Sequence, residues 1–66
     1  MTVIVNGAAR EVADGTSLGE LIAAFGVARE GIAVARNDDV VARSLIDATA
    51  LADGDTIEII AAVAGG

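Results

Sequence analysis

The 66-residue sequence contains no cysteine, histidine, lysine or tyrosine, and Phe25 is its only aromatic residue. Without cysteine or histidine, neither disulfides nor a structural zinc site can reinforce the fold. A domain this short buries only about 60% of the surface its unfolded chain exposes. The core must therefore come from Val, Ile, Leu and Ala, with Phe25 as the one ring. The same absences remove most general bases and nucleophiles. Ser17, Ser44 and the threonines have no histidine or lysine to activate them. Carboxylates remain, but paired-carboxylate chemistry needs a cleft that drives the two pKa values apart. A single layer of sheet and helix seldom provides one, so a self-sufficient enzyme is not expected.

Charge narrows the partners. The formal net charge is −6, with ten acidic residues against four arginines. Phosphate backbones are bound by clustered basic residues, whereas Arg10, Arg29, Arg36 and Arg43 are scattered, which argues against nucleic acid. An acidic surface suits docking on a basic protein surface, where opposite potentials raise the encounter rate, and it also serves solubility alone. No basic segment leads into an apolar run after Met1, so no signal peptide is expected. No apolar stretch approaches the roughly 18 residues that span a bilayer. The absence of cysteine is compatible with the cytosol, and the expectation is a soluble, cytoplasmic protein. Asp38-Asp39 and Asp53-Gly54-Asp55 lack the spaced oxygen ligands of a calcium loop and read as turns; no metal is expected.

Along the chain, Thr-Val-Ile-Val-Asn at residues 2–6 is rich in β-branched side chains and predicts a strand. Asn6-Gly7 suits the positive φ angles of a tight hairpin, and residues 9–13 return as a second strand with Val12 inward. Asp14-Gly15 marks another turn. Ser17 and Glu20 have the spacing of a capping box, and Leu18, Leu21, Ile22 and Phe25 recur at helical spacing. Gly26 stands where a helix commonly ends in the left-handed conformation, so a helix is predicted over residues 18–25. Residues 32–36 form a third strand ended by Asn37-Asp38-Asp39, and Val40-Val41 is a short fourth strand at an edge. Residues 43–51 are irregular or a brief helical turn, and Thr56 to Ala62 is the last strand. The first and last strands are strongly apolar, as expected at the centre of a sheet. As neighbours they are parallel, because a long crossover separates them. This order describes an α+β fold of the β-grasp type, a mixed four- to five-stranded sheet packed on one helix, over residues 1–62. Residues 63–66 form a flexible diglycine tail.

The tail follows the last strand directly as Val63-Ala64-Gly65-Gly66. Glycine lacks a Cβ, so such a tail can thread a narrow channel and place a terminal carboxylate in another protein's ATP site; the plainer alternative is a frayed end. Across nearly its whole length the sequence resembles the ThiS family, the ubiquitin-like sulfur carriers of thiamine biosynthesis. The resemblance is carried by Val5-Asn6-Gly7, by Ala33-Val34-Ala35 with Asn37, and by Val41 with Arg43. It continues through Leu51, Asp53-Gly54-Asp55 and Ile57-Glu58-Ile59 to Ala62-Val63-Ala64-Gly65-Gly66. Two departures lie before the last strand, where the family often has proline at Ala42 and tryptophan at Ile46; the tail is untouched.

The resemblance implies a carrier rather than an enzyme. An adenylating enzyme of the ThiF/MoeB type would activate the Gly66 carboxylate with MgATP, with Gly65, Ala64 and Val63 required as the arm. No cofactor is expected on the chain itself. A persulfide from a cysteine desulfurase or rhodanese-type protein would convert the adenylate to a thiocarboxylate, whose sulfur a ThiG-like thiazole synthase would take. Docking is expected on the exposed sheet face beside the last strand, through Ile60, Ala62 and Ala35. Four rivals remain: the small subunit of molybdopterin synthase, usually longer; a sulfur carrier for cysteine or other sulfur metabolites; a β-grasp interaction module with inert glycines; and conjugation to target lysines. The absence of lysine rules out isopeptide-linked chains of this protein on itself.

Overall fold

Asn6 and Gly7 adopt positive φ angles of 49° and 83°, the signature of a two-residue turn that matches strand twist. In the computed structural model, which describes residues 1–61, this turn joins strand β1 (Thr2–Val5) to antiparallel β2 (Ala8–Glu11). Helix α1 (Leu18–Phe25), β3 (Ile32–Arg36), β4 (Asp39–Val40) and β5 (Thr56–Ala61) follow, with a 3-10 turn at Arg43–Leu45 before β5. Among the described residues these make one five-stranded sheet in the order β2-β1-β5-β3-β4. Pairing is antiparallel except between β1 and β5, which run parallel with Ile4 opposite Thr56 and Val5 opposite Ile57. The α+β fold and the parallel central pair match the sequence expectation. The predicted last residue of β5, Ala62, and the boundary before the tail lie outside the described residues.

Two strands are displaced from their expected positions. With a two-residue turn at Asn6-Gly7, Ala8 must face Val5, so β2 begins at residue 8 and its pairing ends with Glu11 opposite Thr2. Val12, expected within that strand, lies just beyond it and is half-buried against the core, its amide donating to the Met1 carbonyl at 2.8 Å. Likewise Asn37 and Asp38, with φ of 50° and 70°, form the two-residue turn that sets Asp39 opposite Arg36. The edge strand is therefore Asp39–Val40 rather than Val40-Val41.

The helix begins and ends where the sequence places it. The Ser17 hydroxyl oxygen accepts from the Glu20 amide at 3.1 Å, and the Glu20 carboxylate accepts from the Ser17 amide at 2.9 Å. This reciprocal box satisfies donors that the first turn leaves orphaned. Gly26 closes the helix at φ 71°, a conformation that costs glycine little. Leu18, Leu21 and Ile22 pack against Val3, Val5, Val34 and Ile57 from the sheet, and Ile46 and Leu51 close the core from the segment before β5. Ile46, one of the two departures noted in the sequence, thus has a buried side chain. Arg29 donates two hydrogen bonds to Asp47, at 2.8 and 2.6 Å, tying the post-helix loop to that segment. The pair sits over Gly19, where a Cβ would collide with the Asp47 carboxylate. Ser17→Ala is expected to lower stability by about 1 kcal/mol and Tm by about 4–8 °C in circular-dichroism melts, with Ser17→Gly costing less.

Candidate functional site

Because cross-strand partners share a face, the register sorts every strand residue. Val3, Val5, Val34 and Ile57 point to α1, as do Arg10 opposite Val3 and Arg36 opposite Ile57. The other face, uncovered by any helix among the described residues, presents Ile4, Ala33, Ala35, Glu58, Ile60 and Val40, with Glu11 toward the β2 edge. Ala33 lies opposite Ile60, and Ala35 opposite both Glu58 and Val40. Ile60 is 57% exposed and Val40 81%, exposures that isolated core-type side chains would not show on a covered face. Ile60 and Ala35, expected as docking residues, share this face on diagonal positions; the third, Ala62, lies outside the described residues, as do Val63, Ala64, Gly65 and Gly66.

The arginines leave this face acidic. Arg10 stacks over the Phe25 ring at 4.7 Å on the helix side. Arg29 pairs with Asp47, and Arg36 turns inward to Asp55. The strand residues of the open face therefore carry Glu11 and Glu58 and no arginine. Glu11 accepts from the Thr2 hydroxyl on the same face. An aliphatic band with carboxylates beside it is complementary to a protein surface that is apolar at its centre and basic around it.

The root of the last strand is held by Asp55, which sequence reading took only as part of a turn. Its carboxylate is buried and accepts from Arg36 Nε at 2.8 Å, Asn37 Nδ2 at 3.0 Å and the Ala52 amide at 2.8 Å. Asn37 completes the link, its Oδ1 accepting from the Thr56 amide at 2.9 Å. Burial pushes the Asp55 carboxyl up, but the Ala52 amide, the Asn37 carboxamide and the Arg36 guanidinium together outweigh it and hold the group below its usual 3.8. Asp38 and Gly54, at φ of 70° and 85°, occupy turns, as the sequence suggested for both acidic clusters.

Farther along β5, the Asn6 side chain bonds both backbone groups of Ile59, accepting from its amide at 2.9 Å and donating to its carbonyl at 3.3 Å. The sequence marked Asn6 as a turn residue only; its side-chain role depends on β5 lying beside β1. A groove lined by Phe25, Val27, Ala28, Ile32, Ile59 and Asn6 opens at the same end, on the helix side. It is largely apolar, and Glu30 is the one ionisable group on its lining. Among the described residues no three His, Cys, Asp or Glu side chains gather in metal-binding range, and no helix is long and apolar enough to cross a membrane.

A mixed sheet with its first and last strands parallel at the centre, grasping one helix and leaving its other face open, defines the ubiquitin-like β-grasp class. The ThiS family's sequence model matches residues 3–66, and the chain belongs to that family. The crystal structure of the thiamine biosynthesis protein ThiS of Geobacter metallireducens is 36% identical and superposes with a TM-score of 0.85, each chain covering 100% of the other. A solution structure of a thiamine biosynthesis protein from the same organism gives 0.81 at 36% identity, covering 100% of this chain and 88% of that one. A protein of Paramagnetospirillum magneticum named thiazole synthase is 33% identical over all 66 residues, and the chain spans 20% of that protein's length.

The Asp55 cluster predicts a specific acid sensitivity. Because the folded-state pKa lies below the unfolded one, the ionised carboxylate stabilises the fold above about pH 4, and that contribution is lost as pH falls through the folded value. Asp55→Asn is expected to cost about 1–3 kcal/mol at neutral pH. Its urea-unfolding stability should also fall less steeply than the wild type's below about pH 4.

Proposed function

We propose that this chain is a sulfur carrier of thiamine biosynthesis, a protein co-substrate whose Gly66 carboxylate is adenylated by a ThiF/MoeB-type enzyme and converted to a thiocarboxylate. The observation that carries this reading is membership of the ThiS family over residues 3–66, a span that includes Gly65-Gly66. The division of labour follows from the residues. A carboxylate is a poor electrophile, and the chain has no histidine, cysteine or lysine to activate it. MgATP and the acid–base groups therefore belong to the partner. The Gly66 carboxylate oxygen attacks the α-phosphate and pyrophosphate leaves. A persulfide sulfur, charged by a cysteine desulfurase or rhodanese-type protein, displaces AMP, and a thiol cleaves the resulting acyl disulfide to leave the thiocarboxylate. Water must be kept from the acyl-adenylate throughout, a task for the partner's closed site.

Thiazole synthase is the proposed sulfur acceptor, supported by the relative of that name that contains a stretch similar to the entire chain. The docking surface is the open sheet face, with Ile60 and Ala35 as described members and Ala62 as the third proposed residue. Cytoplasmic location belongs to the same proposal, since the adenylation needs MgATP and the later steps need a persulfide and a reduced thiol. The test is ATP–pyrophosphate exchange with a ThiF-type enzyme on a polypeptide ending at Gly66. Deleting Gly66, or extending the chain beyond it, should abolish exchange. Ile60→Asp should raise the carrier's KM about tenfold or more, as for loss of a central interface residue. Exchange that persists without Gly66 overturns the reading.

A further inference from the structure

Strand β1 leaves the sheet at Asn6, yet β5 continues to Ala61. The parallel ladder runs from Ile4 N–H to the Asp55 carbonyl at 2.8 Å and from Asn6 N–H to the Ile57 carbonyl at 2.9 Å. In a regular parallel pair the next rung would join Ile59 N–H to the carbonyl of residue 6 and the Ile59 carbonyl to the amide of residue 8. The turn at Asn6-Gly7 carries residue 8 into β2 instead. The Asn6 carboxamide fills the gap, its oxygen receiving the Ile59 amide and its nitrogen donating to the Ile59 carbonyl. One side chain thus stands in for the two missing backbone partners. On the other side of the strand, Ile32 lies opposite Ala61 and Ala33 opposite Ile60.

We propose that Asn6 is a positioning residue for the C-terminal segment: its carboxamide locks the distal half of β5 to the sheet and so sets the point from which residues 62–66 are presented. The inference rests on the carrier reading, in which a terminal carboxylate must reach another protein's ATP site while the carrier is docked. Ile60, on the open face, is the residue next to the one Asn6 holds. β3 holds this stretch on one side, and the Ile59 rung is what fixes docking face and arm root against β1 on the other. The left-handed backbone at φ 49° explains why asparagine can make the turn, but threonine, serine or glutamine at this position would not supply both groups at this reach. Glycine would keep the turn and lose the rung.

Asn6→Gly therefore separates turn from rung. Amide exchange by NMR on the full chain should show Ile59 losing protection about tenfold or more relative to the amide of the buried Leu21, which donates to the Ser17 carbonyl, with the remaining fold intact. With a ThiF-type enzyme, kcat for adenylation should fall about tenfold while the carrier's KM changes less than about threefold, because the docking face is retained. Asn6→Asp keeps the acceptor but sets a carboxylate oxygen against the Ile59 carbonyl, and should lie between wild type and Asn6→Gly. Unchanged Ile59 protection overturns the proposal, and so does lost protection with unchanged kcat, which makes the rung structural only. A wild-type chain that is not adenylated at all, by enzymes active on their own carriers, overturns the carrier reading and the presenting role with it. Ile59 protection then reports separately on the strand.

Discussion

The parallel pairing of β1 with β5 brings the first and last strands together at the centre of the sheet, and it is a short pairing. Two residue pairs define its register, Ile4 with Thr56 and Val5 with Ile57. Side chains lengthen it at both ends. Asp53 Oδ1 accepts from the Thr2 amide at 2.8 Å where the pairing begins, and the Asn6 carboxamide takes over where β1 turns away. Closing this pair costs the entropy of a loop that spans most of the chain, a cost offset by the burial of Val3, Val5 and Ile57 under the helix. Asp55 makes the same junction from the β3 side through Arg36 and Asn37. The last strand is thus held by β3 along one side and by this seam, with its side-chain extensions, along the other.

From the seam follows the division of the molecule into a covered and an open face. One eight-residue helix covers one side of a five-stranded sheet, and among the described residues no second layer covers the other. The inward face is Val, Leu and Ile. The outward face mixes Ile4, Ala33, Ala35, Val40 and Ile60 with Glu11 and Glu58, while Arg10 and Arg36 lie on the helix side. The carrier reading needs such a surface, because a carrier acts by being held correctly in another protein.

Much of this was legible in the sequence, and what was not has physical reasons. Local signals carried the helix: Ser17, Glu20 and Gly26 mark its ends because capping depends on residues within one turn. Asn6-Gly7 marked a hairpin by backbone preference and Asn37-Asp38-Asp39 the end of a strand, but strand ends near both shifted by one or two residues because register depends on how many residues the turn consumes. Asp55 and the side chain of Asn6 escaped reading for a different cause. Each acts across the sheet on a residue far away in sequence, so its own neighbours announce only a turn. The apolar, parallel first and last strands were the available clue, since a β1 that bends away beside a longer β5 leaves a rung to be filled.

The central claim is that Gly66 carries the chemistry and the rest of the chain delivers it. Intact mass spectrometry tests this most directly, on a polypeptide ending at Gly66 incubated with a ThiF-type enzyme, MgATP and a sulfide source. The account predicts the mass gain of one oxygen exchanged for one sulfur, localised to Gly66 by fragmentation and absent without ATP. No mass change with several adenylating enzymes active on their own carriers would contradict it, and would leave a β-grasp module that binds partners through its open face alone.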